Sequence, residues 1–199
     1  VKQLVNYIGG SNWKAPNDTI EWQFNVEQAG YYKLAFSYKQ SDVLNGCVYR
    51  ILKIDGDIPF AEAEKVKFDY SRSWKSAGFE TEDGKPYLIY LEKGLHTLTL
   101  SVTLGEYAAV YKSLQNISSE LRGLYMNIVM ITGETPDSNR DYDLYNQIPD
   151  FEAKLKSYYE QINAAADNMR RLNGQETNSF IAILVNTARV INNMIENIY

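Results

Sequence analysis

Ile20, Trp22, Phe24 and Val26 alternate with Glu21, Gln23 and Asn25, the two-residue period of a strand with one buried face. After Glu27-Gln28-Ala29-Gly30 the alternation resumes, with Tyr32, Leu34, Phe36 and Tyr38 on one face and Lys33, Ala35, Ser37 and Lys39 on the other. Two amphipathic strands joined by so short a polar connection predict an antiparallel hairpin over 19–40. The run LEKGLHTLTLSVT repeats the arrangement, with Glu92-Lys93-Gly94 as the turn and Leu98, Leu100 and Val102 as the inward set. Further strands are expected at Gln3–Ile8, at Cys47–Ile54 before the turn dipeptide Asp55-Gly56, around Lys65–Phe68 and at Tyr87–Leu91. A short helical turn is expected after Pro59, and Tyr70 to Pro86 reads as a long loop or ragged edge. Residues 1–104 therefore predict an all-β sandwich.

The period then changes. Val110, Leu114, Ile117, Leu121, Leu124, Ile128 and Ile131 are spaced by alternating fours and threes, the seam of an amphipathic helix that Gly133 and Pro136 end. After a polar loop, Pro149 and Asp150 open a second helix, with Ile148, Phe151, Leu155, Tyr158, Ile162, Ala165, Met169 and Leu172 inward and Asn173-Gly174 at its end. A third runs from about Asn178, with Phe180, Ile183, Leu184, Thr187, Ile191, Met194 and Ile198 assigned inward. Short connections make these an all-α antiparallel three-helix bundle over 105–199. Only Leu104 and Gly105 separate the last strand from the first helix, so the bundle is expected to lean on the sandwich.

Composition narrows the function. A net charge of -5, with no element concentrating Lys and Arg, excludes a phosphate-backbone binder, so no nucleic acid is expected as a partner. No apolar run approaches the roughly 20 residues that span a bilayer, so no membrane insertion is expected. The chain starts at Val1-Lys2-Gln3, which reads as a processed or excised piece of a longer protein. One cysteine, Cys47, excludes an internal disulfide and a cysteine zinc cluster, and as a strand residue it reads as buried. Sixteen tyrosines against seven phenylalanines supply apolar faces with polar tips, suited to polar ligands or to strand edges.

Catalytic chemistry has little to work with. His96 is the only histidine and reads as an outward, structural strand residue; no glycine-rich phosphate loop or nucleophile motif appears. The chain is read as no enzyme. Asp137, Asn139, Asp141 and Asp143 alternate as at the start of a calcium loop, but the turn glycine and the twelfth-position glutamate are missing, which favours a solvated interhelical loop. Counting strand directions gives a better constellation. Trp13, Asp42, Asn45, Tyr70, Arg72 and Trp74 should gather at one end of the sandwich. Exposed aromatics among polar groups suit a sugar, whose C–H face stacks on the ring while its hydroxyls hydrogen-bond. The competing reading packs Trp13 and Trp74 beneath the first helix.

DTIEWQFNVEQAGYYKLAFSYKQ, VYRILKIDGDIPF and LIYLEKGLHTLTLSVTLGEYA together resemble the galactose-binding-like jelly rolls of extracellular carbohydrate-binding modules. With YMNIVMITGETPDSNRDYDLYNQIPD and a helical hairpin, the chain is similar to a region of Gram-positive extracellular solute-binding proteins of carbohydrate ABC importers. The resemblance covers nearly the whole chain. It implies a secreted lipoprotein, lipid-anchored at the cell surface in full length, with the solute-binding domain outside this piece as a same-chain partner. It also brings the possibility of a structural calcium, held in sugar-binding modules of this fold by acidic residues near the first strand, commonly an Ala-Glu pair. No such pair stands there; Ala63-Glu64 lies elsewhere, and no cofactor is assigned.

Two functions follow. One is weak, noncatalytic carbohydrate recognition, with Trp13 and Trp74 stacking and Arg72, Asp42 and Asn45 hydrogen-bonding. The alternative is a structural or protein-interaction spacer that positions the solute-binding domain. An apolar stripe left exposed on the third helix favours the alternative.

Overall fold

The computed structural model describes Gly9 and residues 13–81, 83–174 and 176–197. They form two compact units that divide after Glu106, a β-sandwich followed by a helical bundle. The strand expected at Gln3–Ile8 and the helix position Ile198 lie outside the described residues.

In the first unit β1 (Thr19–Val26), β8 (Gly94–Thr103), β4 (Cys47–Ile54) and β5 (Val66–Asp69) form an antiparallel sheet in the order β1-β8-β4-β5. The other layer is two ladders, β2 (Gly30–Tyr32) with β7 (Ile89–Leu91) and β3 (Ala35–Gln40) with β6 (Ser71–Gly78). The predicted 19–40 hairpin does not form. β1 pairs with β8 from Thr19↔Ser101 to Val26↔Gly94, while the chain crosses at 27–29 to the opposite layer. Alternation marks which face of a strand is dry but says nothing of its neighbour, and here both strands turn their dry faces to one core. The same holds at Glu92-Lys93-Gly94, which joins β7 in one layer to β8 in the other.

The stretch expected as a single strand at 31–40 is broken at Lys33-Leu34 into β2 and β3. Leu34, Phe36 and Tyr38 still pack on the core, whereas Tyr32 is exposed and its hydroxyl donates to the Gln28 carbonyl at 2.6 Å. Residues 71–78, within the stretch expected as a long loop or ragged edge, form β6 against β3. Serines, a lysine and small residues hid the strand, and its ladder is irregular between Tyr38 and Gln40. Elsewhere the expectations hold: β4 occupies 47–54, and a 3₁₀ helix, Ala61–Lys65, precedes β5.

Val26, Leu52, Ile54, Phe68, Ile89, Leu91, Leu98 and Leu100 make the buried centre of the sandwich. Phe36 reaches across to Trp22 (6.5 Å between ring centres) and meets Phe68 edge-on at 6.3 Å, which locks the two layers. Each fully buried aliphatic side chain contributes about 1.5–3 kcal/mol.

The second unit has α1 (Tyr107–Thr132), a one-turn α2 (Leu144–Gln147), α3 (Phe151–Leu172) and α4 (Ser179–Glu196). The predicted seams of α1 and α3 are the packed ones, with Ile117, Leu124, Leu155, Ile162 and Ala165 buried in one core; Ala166, outside the predicted seam, is buried there too. α2 lies within the loop expected to be irregular, because Leu144 packs on that core. Gly133 (φ 76°) ends α1 and Gly174 (φ 64°) follows α3, both in the left-handed region where a Cβ is strained. Asn178 caps α4 by accepting the Ile181 N–H at 3.0 Å.

On α4 the inward assignment needs correction. The buried line is Ile181, Leu184, Ala188 and Ile191, with Ile195 beside it, whereas Phe180, Ile183 and Met194 are exposed. α4 carries two apolar lines side by side, and periodicity alone does not choose between them.

Candidate functional site

Strand directions place the 41–46 loop, Tyr70 and the start of β6 at one end of the sandwich, where Cys47 pairs with Asp69 and Gln40 with Ser71. The Tyr70 N–H donates to the Gly46 carbonyl at 2.9 Å, joining two of these segments directly. Gln40 is buried at the end of β3, and its Oε1 accepts the N–H groups of Asp42 (3.0 Å) and Val43 (3.1 Å). The loop is thus held by an inward amide, with the Asp42 side chain exposed and Asn45 in the left-handed region at φ 51°. Asn tolerates that conformation better than most residues.

Tyr70, Arg72 and Trp74 alternate along the chain from the end of that connection into β6, so they share one face of the strand. Arg72 Nε donates to the Tyr70 hydroxyl at 2.7 Å, and that bond holds the Arg72 charge more firmly than usual. Trp74 is 51% exposed.

Trp13 takes a different part. It is half-buried on the sandwich core, with its Nε1 donating to the Leu100 carbonyl at 3.2 Å. The Arg50 guanidinium carbon lies 4.1 Å from its ring centre, a cation–π contact. Of the six residues expected to gather, Asp42, Asn45, Tyr70 and Arg72 sit in segments tied by direct bonds, Trp74 follows on the same strand face, and Trp13 is fixed to Leu100 and Arg50.

Arg50 is the residue that sequence reasoning missed. On β4 it shares the inward register with Val48, Leu52 and Ile54, and it is 9% exposed. Its Nη1 donates to the Tyr49 carbonyl at 2.8 Å, its Nη2 reaches the Trp13 carbonyl at 3.5 Å, and its Nε is buried without a partner among the described residues. Burial pushes its pKa below the ordinary value. A charge at an inward position, among Val48, Leu52 and Ile54, was the signal that could have found it.

The opposite end is closed by His96. In the β1–β8 register it lies opposite Phe24, on the same side as Leu98, so it faces inward and not outward as expected. Its Nδ1 sits 2.6 Å from Asp55 Oδ2 and its Nε2 2.8 Å from the Glu92 carbonyl. Two acceptors on one imidazole favour the doubly protonated ring: the Asp55 bond, then the Glu92 carbonyl, raise the His96 pKa. Asp55 is correspondingly lowered by His96 and by the Thr97 N–H, which it accepts at 2.8 Å. Elsewhere on the sandwich a cleft of about 220 Å³ is lined by Phe36, Phe60, Phe79 and Tyr87 among others. Phe60 stacks on Tyr87 at 4.3 Å and Phe36 meets Phe79 edge-on at 5.4 Å, so these rings are engaged with one another.

The acidic run in the interhelical loop acts on its own backbone. Asp137 Oδ1 accepts the Asn139 N–H at 2.9 Å and Asp141 Oδ1 accepts the Asp143 N–H at 2.8 Å. Among the described residues no three His, Cys, Asp or Glu side chains are grouped to hold a metal ion. No helix among them is long and apolar enough to cross a membrane.

Residues 109–198 match the bacterial solute-binding protein 4-helix bundle domain. That match falls on the helical unit and stops short of the sandwich. No curated protein matches the chain. Among solved structures, it is similar to a Paenibacillus cycloisomaltooligosaccharide glucanotransferase complexed with cycloisomaltoheptaose, at 24% identity and a TM-score of 0.34 over 45% of this chain. It spans only 11% of that enzyme. It is also similar to a family 35 carbohydrate binding module from Clostridium thermocellum, at 19% identity and a TM-score of 0.35, over 52% of this chain and 74% of the module.

Proposed function

We propose that the chain is a noncatalytic, extracellular region of a bacterial solute-binding protein of a carbohydrate importer, in which the sandwich weakly recognises a glycan. The helical match supports the solute-binding context. The observation that carries the sugar reading is the face bearing Tyr70, Arg72 and Trp74, where a half-exposed indole follows a hydrogen-bonded Arg–Tyr pair. In this reading Trp74 stacks on the C–H face of a sugar ring, while Arg72, Asp42 and Asn45 meet hydroxyls. Trp13 acts from beneath, anchoring the loop to Leu100 and Arg50. The aromatic cleft lined by Phe60 and Tyr87 is a poorer candidate because its rings already cover one another. The second apolar line on α4 favours an interaction role for the helical unit in addition.

Tryptophan fluorescence titration across a glycan panel tests the sugar reading. Binding in the millimolar to micromolar range, about -4 to -8 kcal/mol, is expected with at least one glycan and is lost in Trp74→Ala. An unchanged response in Trp74→Ala, or no response from the parent protein to any glycan, overturns it.

A further inference from the structure

α4 has three lengthwise stripes. Ile181, Leu184, Ala188, Ile191 and Ile195 face the bundle core. Ala182, Asn186, Arg189, Asn193 and Glu196 form an exposed, mostly polar stripe. Between them, on the other side of the core line, run Phe180, Ile183, Thr187, Val190 and Met194, spaced 3, 4, 3, 4. All four apolar members of that third stripe are exposed, Ile183 at 61%. Such spacing is a helix-packing seam, and a helix with two apolar seams is built to pack on two sides.

The stripe continues into a groove. Leu114, Leu121 and Tyr125 of α1 line one wall, Leu184 and Thr187 of α4 the other, with Ile162 of α3 also contributing; the open volume is about 360 Å³. Arg122 is the only charged side chain that lines it.

We infer that this surface is the interface between two copies of the chain, with α4 packed antiparallel on α4 of the second copy about a two-fold axis near Thr187. Three observations select a second copy. The stripe is nearly symmetric about Thr187, seven residues from Phe180 and seven from Met194, so Phe180 meets the second copy's Met194 and Ile183 its Val190. The same patch then serves both sides, as an isologous contact requires. No charged residue lies in the stripe, and Arg189 and Glu196, the only charges on α4, sit on the stripe facing away, so the α4–α4 contact itself brings no like charges together. Finally, Phe180, Ile183, Val190 and Met194 with Tyr125 of α1 are each roughly half exposed. Together they offer about 500 Å² before the rest of the groove is counted, against the roughly 800 Å² per partner of a standard stable interface. The inference rests on the interaction role of α4 and is independent of the sugar reading.

Sedimentation velocity of the whole 199-residue chain from about 1 to 300 µM tests it, beside Ile183→Asp, Val190→Asp and the polar-stripe control Arg189→Gln. A concentration-dependent dimer is expected, weakened at least tenfold by either aspartate and unchanged by the control, with helicity by circular dichroism the same in all. Because the substituted positions lie off the bundle core, loss of the dimer with full helicity separates contact from folding. A second arm places Thr187→Cys in a Cys47→Ser background; oxidation is expected to trap the dimer through a bond between the two copies of position 187. A monomer at every concentration, a dimer indifferent to both aspartates, or a dimer that position 187 does not cross-link would each overturn the proposal. Glycan binding with a monomeric chain would remove the dimer and leave the sugar reading standing.

Discussion

The two ends of the sandwich are finished by different means. At one, the turns after β4 and before β8 are closed by side chains: Asp55 accepts from Thr97 and pairs with His96, which also bonds the Glu92 carbonyl. At the other, residues turned toward the backbone do the closing. Asp18 accepts the N–H groups of Lys14 and Ala15, Gln40 those of Asp42 and Val43, and Trp13 is pinned to Leu100. The first end uses its charged groups to hold itself together. The second presents Asp42, Arg72 and Trp74 at the surface. A sugar meets groups that reach the surface, and the sugar reading proposed above is placed at the second end for that reason.

The strongest way to break the second end leaves its surface intact. Gly105, which follows β8, has φ +53°, and a Cβ there would overlap the Tyr49 ring. Gly105→Ala should cost about 3 kcal/mol, from about 1–2 for the left-handed backbone and 1–3 for overpacking. Urea denaturation of the sandwich measures it; a loss below about 1 kcal/mol would mean that the backbone at 105 relaxes and Tyr49 is no fixed wall.

Trp13→Ala comes next. It removes a half-buried indole, its hydrogen bond and the ring over Arg50, for a loss of about 2–3 kcal/mol. Part of that cost is the buried guanidinium left without its ring. In an Arg50→Met background, itself expected within about 1 kcal/mol of the parent, the same Trp13 change should cost less. Equal costs in both backgrounds would show that the contact carries no coupling.

These two tests concern residues of unequal legibility. Gly105 stood in the sequence only as a connector, because the overlap with Tyr49 depends on a tertiary approach. Arg50 was visible as a charge in an inward register, yet its partner Trp13 lay in a loop with no period. The seams of α1 and α3 could be read, since each has a single large-apolar line and one glycine-marked end; Ala166, buried beside the α3 seam, was too small to stand out. α4 could not, because its two seams differ only in which neighbour is present. Strands were readable by alternation where large apolar residues recur, as in β1, β4 and β8, and not in β6, whose Ser71, Ser73, Lys75 and Ser76 carry no such signal. Pairing was the least legible property, since β1 has the same dry face whether it meets β3 or β8. Of the site, the chain order placed the loops, but only the structure shows Arg72 bonded to Tyr70 and Trp13 turned inward.

The first end should respond to pH. His96 has a raised pKa, so its contribution is fully present below its ordinary value of 6.5 and is lost as pH rises through the raised value. Asp55 is lowered, so its contribution is present above its ordinary 3.8 and is lost as pH falls through the lowered value. The clasp is therefore whole between those ordinary values and weakens on either side. Melting temperature followed from about pH 3 to 9 should fall at the alkaline edge in the parent and flatten there in His96→Asn; an alkaline fall that survives His96→Asn would assign it elsewhere. Both groups touch water, so the effect should be smaller than that of Trp13→Ala.

The smallest change in stability should come from the residue proposed to stack on the sugar. Trp74 is half exposed on β6, outside the sandwich's buried centre, so Trp74→Ala should leave the urea midpoint within about 0.5 kcal/mol of the parent. The same change should abolish the fluorescence response to the glycan that binds. A residue used for packing would lose both together, as Trp13 should, whereas one used for binding loses only the second. If Trp74→Ala instead destabilises the sandwich by about 2 kcal/mol or more, its indole belongs to the fold, and the contrast between the two ends disappears.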